Sequence, residues 1–195
     1  RPAMEGSRLD LSDIACRRGD RLLFVGVNVA LSPGGALHLT GPNGTGKTSL
    51  IRIIAGLMRP FEGEVSRQGA LALLDERPAL DEHLPLGRAL AFWERIDGSA
   101  AQGADRLGLS SLLDVPVRYL STGQRKRAAL ARLLGQSAET WLLDEPLNGL
   151  DRDGTALVET LVAEHRAAGG TVVAASHQPI ALPGAQMLDL RDHPA

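Results

Sequence analysis

The stretch "GPNGTGKT", from Gly41 to Thr48, decides the fold. It fits G-x-x-x-x-G-K-[ST] at every fixed position. Gly41, Gly44 and Gly46 permit positive φ and close backbone approach, with Pro42, Asn43 and Thr45 in the positions between them. Successive N–H groups then line a concave anion nest at a helix N-terminus. Lys47 is placed to reach the β- and γ-phosphates of a nucleotide, and the Thr48 hydroxyl to bind Mg²⁺, with Ser49 next in the same helical turn. The motif has this meaning only between a strand and a helix. "ALHLT" (36–40) supplies the strand. "KTSLIRIIAGL" (47–57) supplies the helix, with Leu50, Ile51, Ile54 and Leu57 on one face, and "RPFEG" (59–63) breaks it.

Working outward, "RLDLSDIAC" (8–16) and "LLFVGVNVAL" (22–31) alternate as strands around a "GDR" turn. "LALL" (71–74) reads as a short core strand. From about Pro78 to Leu120 the texture becomes helical, in "LGRALAFWERI" (86–96) and "GADRLGLSSLL" (103–113). Alternation then resumes with a helix over 123–136, a strand over 140–144, a helix over 154–169, a strand over 171–176 and a last strand over 185–192. Strands alternating with helices predict a parallel sheet covered on both faces. The expected fold is therefore α/β, with a helical insertion.

Composition narrows the function classes. The chain has 195 residues, 21 basic and 23 acidic, for a formal net charge of -2. That balance offers no electrostatic footprint for nucleic acid. A single cysteine, Cys16, excludes a disulfide framework and favours a reducing compartment. No apolar run approaches the roughly 18 residues that span a bilayer, and no signal-peptide pattern opens the chain, so a cytoplasmic location is expected.

Two downstream stretches complete the chemistry. "WLLDEP" (141–146) is an apolar strand that delivers Asp144 to the sheet edge as an Mg²⁺ ligand. Glu145 follows, where it could polarise an attacking water. "LSTGQRKR" (120–127) is a second phosphate-like site: Ser121 stands at a helix N-cap and Gly123 opens a helix whose positive end favours an anion. Leu120, Ser121, Thr122, Gly123 and Gln124 resemble the LSGGQ signature of ATP-binding-cassette (ABC) ATPases. "LNGLD" (147–151) resembles that family's D-loop, ending on Asp151, and "ASHQ" (175–178) its switch motif, carrying His177.

The resemblance implies a P-loop NTPase fold: a RecA-like parallel core with an N-terminal antiparallel β-subdomain, plus an ABC-type helical subdomain. It implies one ABC ATPase domain over 1–195, with the core at about 1–76 and 121–195. The helical subdomain would take about 77–120, its signature helix running on to about 136. It implies ATP and Mg²⁺ as cofactors, Glu145 and His177 as catalytic residues, and a second copy of the chain as partner. Each nucleotide would lie between one copy's phosphate loop and the other's signature, in a head-to-tail dimer with Asp151 at the seam.

Three positions depart from the family pattern. Arg18 stands where an adenine-stacking aromatic is usual; its guanidinium plane can stack on a base or be solvated. Glu76 stands at the Q-loop glutamine position, where a carboxylate adds charge near the γ-phosphate and cannot donate. Thr122 replaces the common signature glycine. Within the family the chain is similar to ATP-binding subunits of the haem exporter of cytochrome c maturation, through "ALAFW" (89–93), "TWLLDEPLNGLD" and "ASHQP". That similarity implies an integral membrane permease subunit as partner and a peripheral place on the cytoplasmic face of the inner membrane. An ATPase subunit for another exported substrate, and a regulatory cassette with weak hydrolysis, remain the alternatives.

Overall fold

The structure is a computed structural model that describes residues 7–75, 79–98 and 103–195. In chain order the elements are β1 (Arg8–Arg18), β2 (Arg21–Leu31), β3 (Ala36–Thr40), α1 (Lys47–Ile54), β4 (Glu62–Gln68), β5 (Leu71–Leu74), α2 (Leu86–Asp97), α3 (Gly103–Arg106), α4 (Thr122–Gly135), β6 (Thr140–Asp144), α5 (Arg152–Ala167), β7 (Thr171–Ala175) and β8 (Gln186–Asp189). They build two sheets. One is antiparallel, in the order β2-β1-β4; the other has five strands in the order β5-β6-β7-β3-β8, all paired in parallel. This is the P-loop NTPase architecture.

Strand alternation divides the interior in two. On one face of the parallel sheet Leu37, Leu39, Leu142, Val173 and Ala175 pack with α1 and the antiparallel sheet, around Phe24 and Ile14. On the other face Ala36, Leu143, Val172 and Ala174 pack with α4, α5 and the helical stretch that carries α2. Every residue of β6 and β7 is buried, as strands covered on both sides require.

Several elements differ from the sequence expectation. β4 was not anticipated, because only Val65 in it is even half-buried and an edge strand of exposed polar residues has no alternating apolar pattern. Helix α1 ends at Ile54, where Gly56 turns left-handed at φ 77, so Leu57 is exposed and not on the core face. The stretch 103–113 is not one helix. Gly108, at φ 67, ends α3, and a 3₁₀ turn follows at Ser110–Leu112. The last strand stops at Asp189, whose carboxylate accepts from the Arg191 N–H at 2.9 Å and starts a 3₁₀ turn over Leu190–Asp192.

Candidate active site

Strand β3 lies between β7 and β8, with Leu39 opposite Ala175 and Thr40 opposite Asp189. Residues 41–46 therefore leave the sheet at its C-terminal edge, the place where open α/β sheets bind ligands. Gly41, Gly44 and Gly46 adopt φ of 115, 84 and 109. At Gly46 a Cβ would lie 2.8 Å from the ring of the fully buried Phe24, so the helix start admits only glycine. The Lys47 ammonium donates to the Gly41 carbonyl at 2.6 Å and the Pro42 carbonyl at 3.2 Å, and the Thr45 hydroxyl donates to Pro42 at 3.0 Å. The first bond inside α1 runs from Leu50 N–H to Gly46 O at 2.8 Å. The N–H groups of Lys47, Thr48 and Ser49 precede it and form the anion-facing end of the helix.

Asp144 closes β6, buried and in register with Ala175. Glu145 follows at φ 48, a strained angle for a side-chain-bearing residue. Its N–H donates to the Ala175 carbonyl at 2.8 Å, which fixes that turn. One Glu145 carboxylate oxygen lies 2.7 Å from His177 Nδ1 and 3.4 Å from the His177 backbone nitrogen. A carboxylate only accepts, so Nδ1–H is the donor. The Glu145 side chain is 12% exposed and that of His177 52%.

The loop and Glu145 border one groove of about 530 Å³, lined by Asn43, Gly44, Gly46, Lys47, Thr48, Ser49 and Glu145 together with Arg18, Arg21 and Leu23. A hydroxyl at Thr48 and a carboxylate at Asp144 are hard oxygen donors. Among the described residues no group of three or more His, Cys, Asp or Glu could cage a metal. Mg²⁺ takes oxygen donors of this kind, one or two from protein with the rest from substrate phosphates and water.

The second anion-favouring site lies at the start of α4. Ser121 Oγ accepts from Gln124 N–H at 3.2 Å, and Gln124 Oε1 accepts from Ser121 N–H at 2.8 Å, a complete capping box. Leu120 is buried beneath it. A groove of about 510 Å³ opens beside the cap, between Ser121–Gln124 and Gly149–Asp151. Thr122 is accommodated by Gly149, at φ 78; a Cβ there would lie 2.6 Å from Thr122 Cγ2. Asp151 caps α5 through Gly154 N–H at 2.8 Å and pairs with Arg127 at 3.2 Å. The Gly154 bond first, and Arg127 with it, holds the Asp151 carboxyl below the usual carboxylate range.

The geometry brings Asn43, Gly44, Gly46 to Ser49, Arg18 and Glu145 to one groove, joins His177 to Glu145, and sets Ser121 to Gln124 and Asp151 around another; Gly41, Pro42 and Thr45 do not line the first groove, and Leu120 is buried beside the second. Glu76 lies outside the described residues. Sequence reasoning missed several participants. Lys126 is buried and donates to the Glu145 carbonyl at 3.2 Å, so α4 touches the turn that carries the acid. Gln178 Nε2 donates to Asn148 Oδ1 at 3.3 Å and links the 175–178 and 147–151 loops. Asp189, paired with Arg191 at 2.6 Å, lies 3.2 Å from where a Gly41 Cβ would stand. Lys126, Asn148 and Gln178 stand inside quoted motifs but not at positions with a stated role, and Asp189 stands in none; their contacts come from packing across the sheet edge.

A phosphate loop, an acid pair at the neighbouring strand end and a separate capped-helix site define an ABC-type ATPase. The comparisons agree. The ABC transporter family profile matches residues 24–148. The cytochrome c biogenesis ATP-binding export protein CcmA of Novosphingobium aromaticivorans is 57% identical over 97% of this chain and 98% of its own. Its counterpart in Sphingopyxis alaskensis is 52% identical over 90% and 92%. In structure, cbiO1 from Clostridium perfringens, part of the ABC transporter complex cbiONQ, superposes with a TM-score of 0.71 at 23% identity, over 87% of this chain and 78% of that one, a likeness of fold. The chain belongs to the ABC transporter family, in its branch of cytochrome c biogenesis ATP-binding export proteins. ABC ATP-binding subunits dimerise and work with membrane permease partners, and among the described residues of this chain no helix is long and apolar enough to cross a membrane.

Proposed function

We propose that this chain hydrolyses Mg-ATP as the ATPase subunit of the haem exporter of c-type cytochrome biogenesis. The observation that carries the ATPase part is the 2.7 Å contact of Glu145 with His177 at the rim of the groove that holds Lys47 and Thr48. In this reading the first-turn N–H groups of α1 and the Lys47 ammonium bind the β- and γ-phosphates. Thr48 and Asp144 hold Mg²⁺, which neutralises charge on the phosphates when bound. The Glu145 carboxylate takes a proton from the attacking water, and His177 orients both that carboxylate and the γ-phosphate. The single domain is organised as a parallel core with a helical subdomain at about 77–120. Two copies close head to tail, so that Ser121 and Gly123 of one face the γ-phosphate held by Lys47 of the other, with Asp151 at the seam. A permease subunit anchors the pair at the cytoplasmic face of the membrane. The names of the relatives support the cytochrome c biogenesis role.

The test is a chromosomal Lys47→Ala substitution in the protein's own host, with covalent haem in c-type cytochromes as readout. Loss of holocytochrome with normal amounts of the apoproteins is expected. Normal holocytochrome would overturn the haem-export assignment.

A further inference from the structure

His177 meets Glu145 with a side chain that is half exposed, so packing does little to hold the ring. The backbone around it is held instead. Ser176 follows β7 directly and is buried. Its hydroxyl donates to the Gln178 carbonyl at 2.8 Å and accepts from the Gln178 N–H at 3.1 Å. One side chain thus closes a turn with His177 at its apex. The Ser176 N–H donates to the Leu39 carbonyl at 3.4 Å, which roots the turn on β3, the strand that runs into the phosphate loop. Past the turn, Ile180 and Leu182 are buried and the Ala181 N–H donates to Glu159 Oε1 at 2.8 Å.

Gln178 makes a second tie. Its Nε2 donates to Asn148 Oδ1 at 3.3 Å, across 30 residues of sequence. Asn148 lies in the 147–151 loop, where Gly149 is pressed against Thr122, and Asp151 caps α5 and pairs with Arg127. A shift of that loop therefore pulls on the residue next to His177. Proton transfer needs its partners within hydrogen-bond reach, and a misplacement of about 1 Å can cost about 100-fold in rate. Resting on the ATPase reading of Glu145 and His177, we infer that Ser176 and Gln178 are positioning residues for this reaction: Ser176 fixes the backbone that aims His177 at Glu145, and Gln178 ties that turn through Asn148 to the loop that carries Asp151.

The test measures kcat in saturating Mg-ATP and Kd for ATP side by side on the full chain. Ser176→Ala removes the hydroxyl from both Gln178 backbone groups. It should lower kcat about 10- to 100-fold while Kd moves by less than about twofold. Ser176→Thr keeps the hydroxyl and should restore most of the rate. Gln178→Asn shortens the reach to Asn148 and should cost about 2- to 10-fold in kcat, the worth of one neutral hydrogen bond. Asn148→Gln combined with Gln178→Asn keeps an amide pair of the same summed length and should recover that loss. Parental kcat in Ser176→Ala, or a loss shared equally by ATP affinity and not restored by Thr, overturns the role of Ser176. A double exchange no faster than Gln178→Asn alone overturns that of Gln178. Either result leaves the ATPase reading standing. A parent chain that binds ATP and never hydrolyses it, alone or with its membrane partner, removes the ATPase reading and this inference with it.

Discussion

Glu145 shows how much of the site depends on single residues. Its backbone sits at φ 48, an angle that costs about 1–3 kcal/mol, and three contacts hold it there. Its N–H is bonded to Ala175, its carbonyl to Lys126 and its carboxylate to His177. Lys126→Met keeps the stem and removes the donor to that carbonyl. It should lower stability by about 1–3 kcal/mol, read from the denaturant midpoint, and reduce turnover with little change in ATP affinity. Unaltered turnover would mean that α4 does not position the acid. Asp189 offers a pH test. Its pair with Arg191 first, then the Arg191 N–H and the charge of Lys47, depress its pKa from 3.8 to about 2. A depressed acid stabilises the fold above its unfolded pKa and loses that contribution as pH falls toward the folded one. The stability gap between the parent and Asp189→Asn should therefore be full above about pH 4 and vanish toward pH 2. A gap that persists at the acid end would assign the effect to shape, not charge.

At the scale of elements, the two helix starts that favour anions are built differently. α1 begins on Gly46, pressed against Phe24; α4 begins on a side-chain cap at Ser121. Gly46→Ala places a methyl at 2.8 Å from the Phe24 ring on a residue at φ 109, so nucleotide affinity should collapse; isothermal titration reads it directly. Ser121→Ala removes a cap worth about 1 kcal/mol and should leave ATP binding to an isolated chain unchanged, because in the proposed head-to-tail dimer that helix serves the partner copy's nucleotide. Weakened ATP binding in the monomer would contradict the head-to-tail arrangement. The sequence made α1, β3, β6 and β7 readable because each combines strong periodicity with a motif at a fixed end. It hid β4, whose residues face solvent, and the breaks after Arg106 and Asp189, where a left-handed glycine and a local side-chain cap override the apolar pattern. The site was legible for the same reason as its elements. Lys47, Asp144, Glu145 and Ser121 stand at motif positions, whereas Lys126 and Asp189 reach the site through contacts between segments far apart in the chain.

At the scale of the whole molecule, the fold sets two separate grooves on one chain. The first groove gathers Lys47, Thr48 and Glu145; the second gathers Ser121, Gly123 and Asp151. A second copy, turned head to tail, would bring each groove of one chain against the other kind on its partner, and hydrolysis would then reopen the pair. Glu145→Gln tests this most directly. Gln keeps the size and some hydrogen bonding but loses the base, while Thr48, Asp144 and Lys47 are untouched. With Mg-ATP the variant should elute from size exclusion as a stable dimer and without nucleotide as a monomer, with turnover down at least about 100-fold. A Glu145→Gln chain that stays monomeric with saturating ATP bound, or that hydrolyses ATP at the parental rate, would contradict the account.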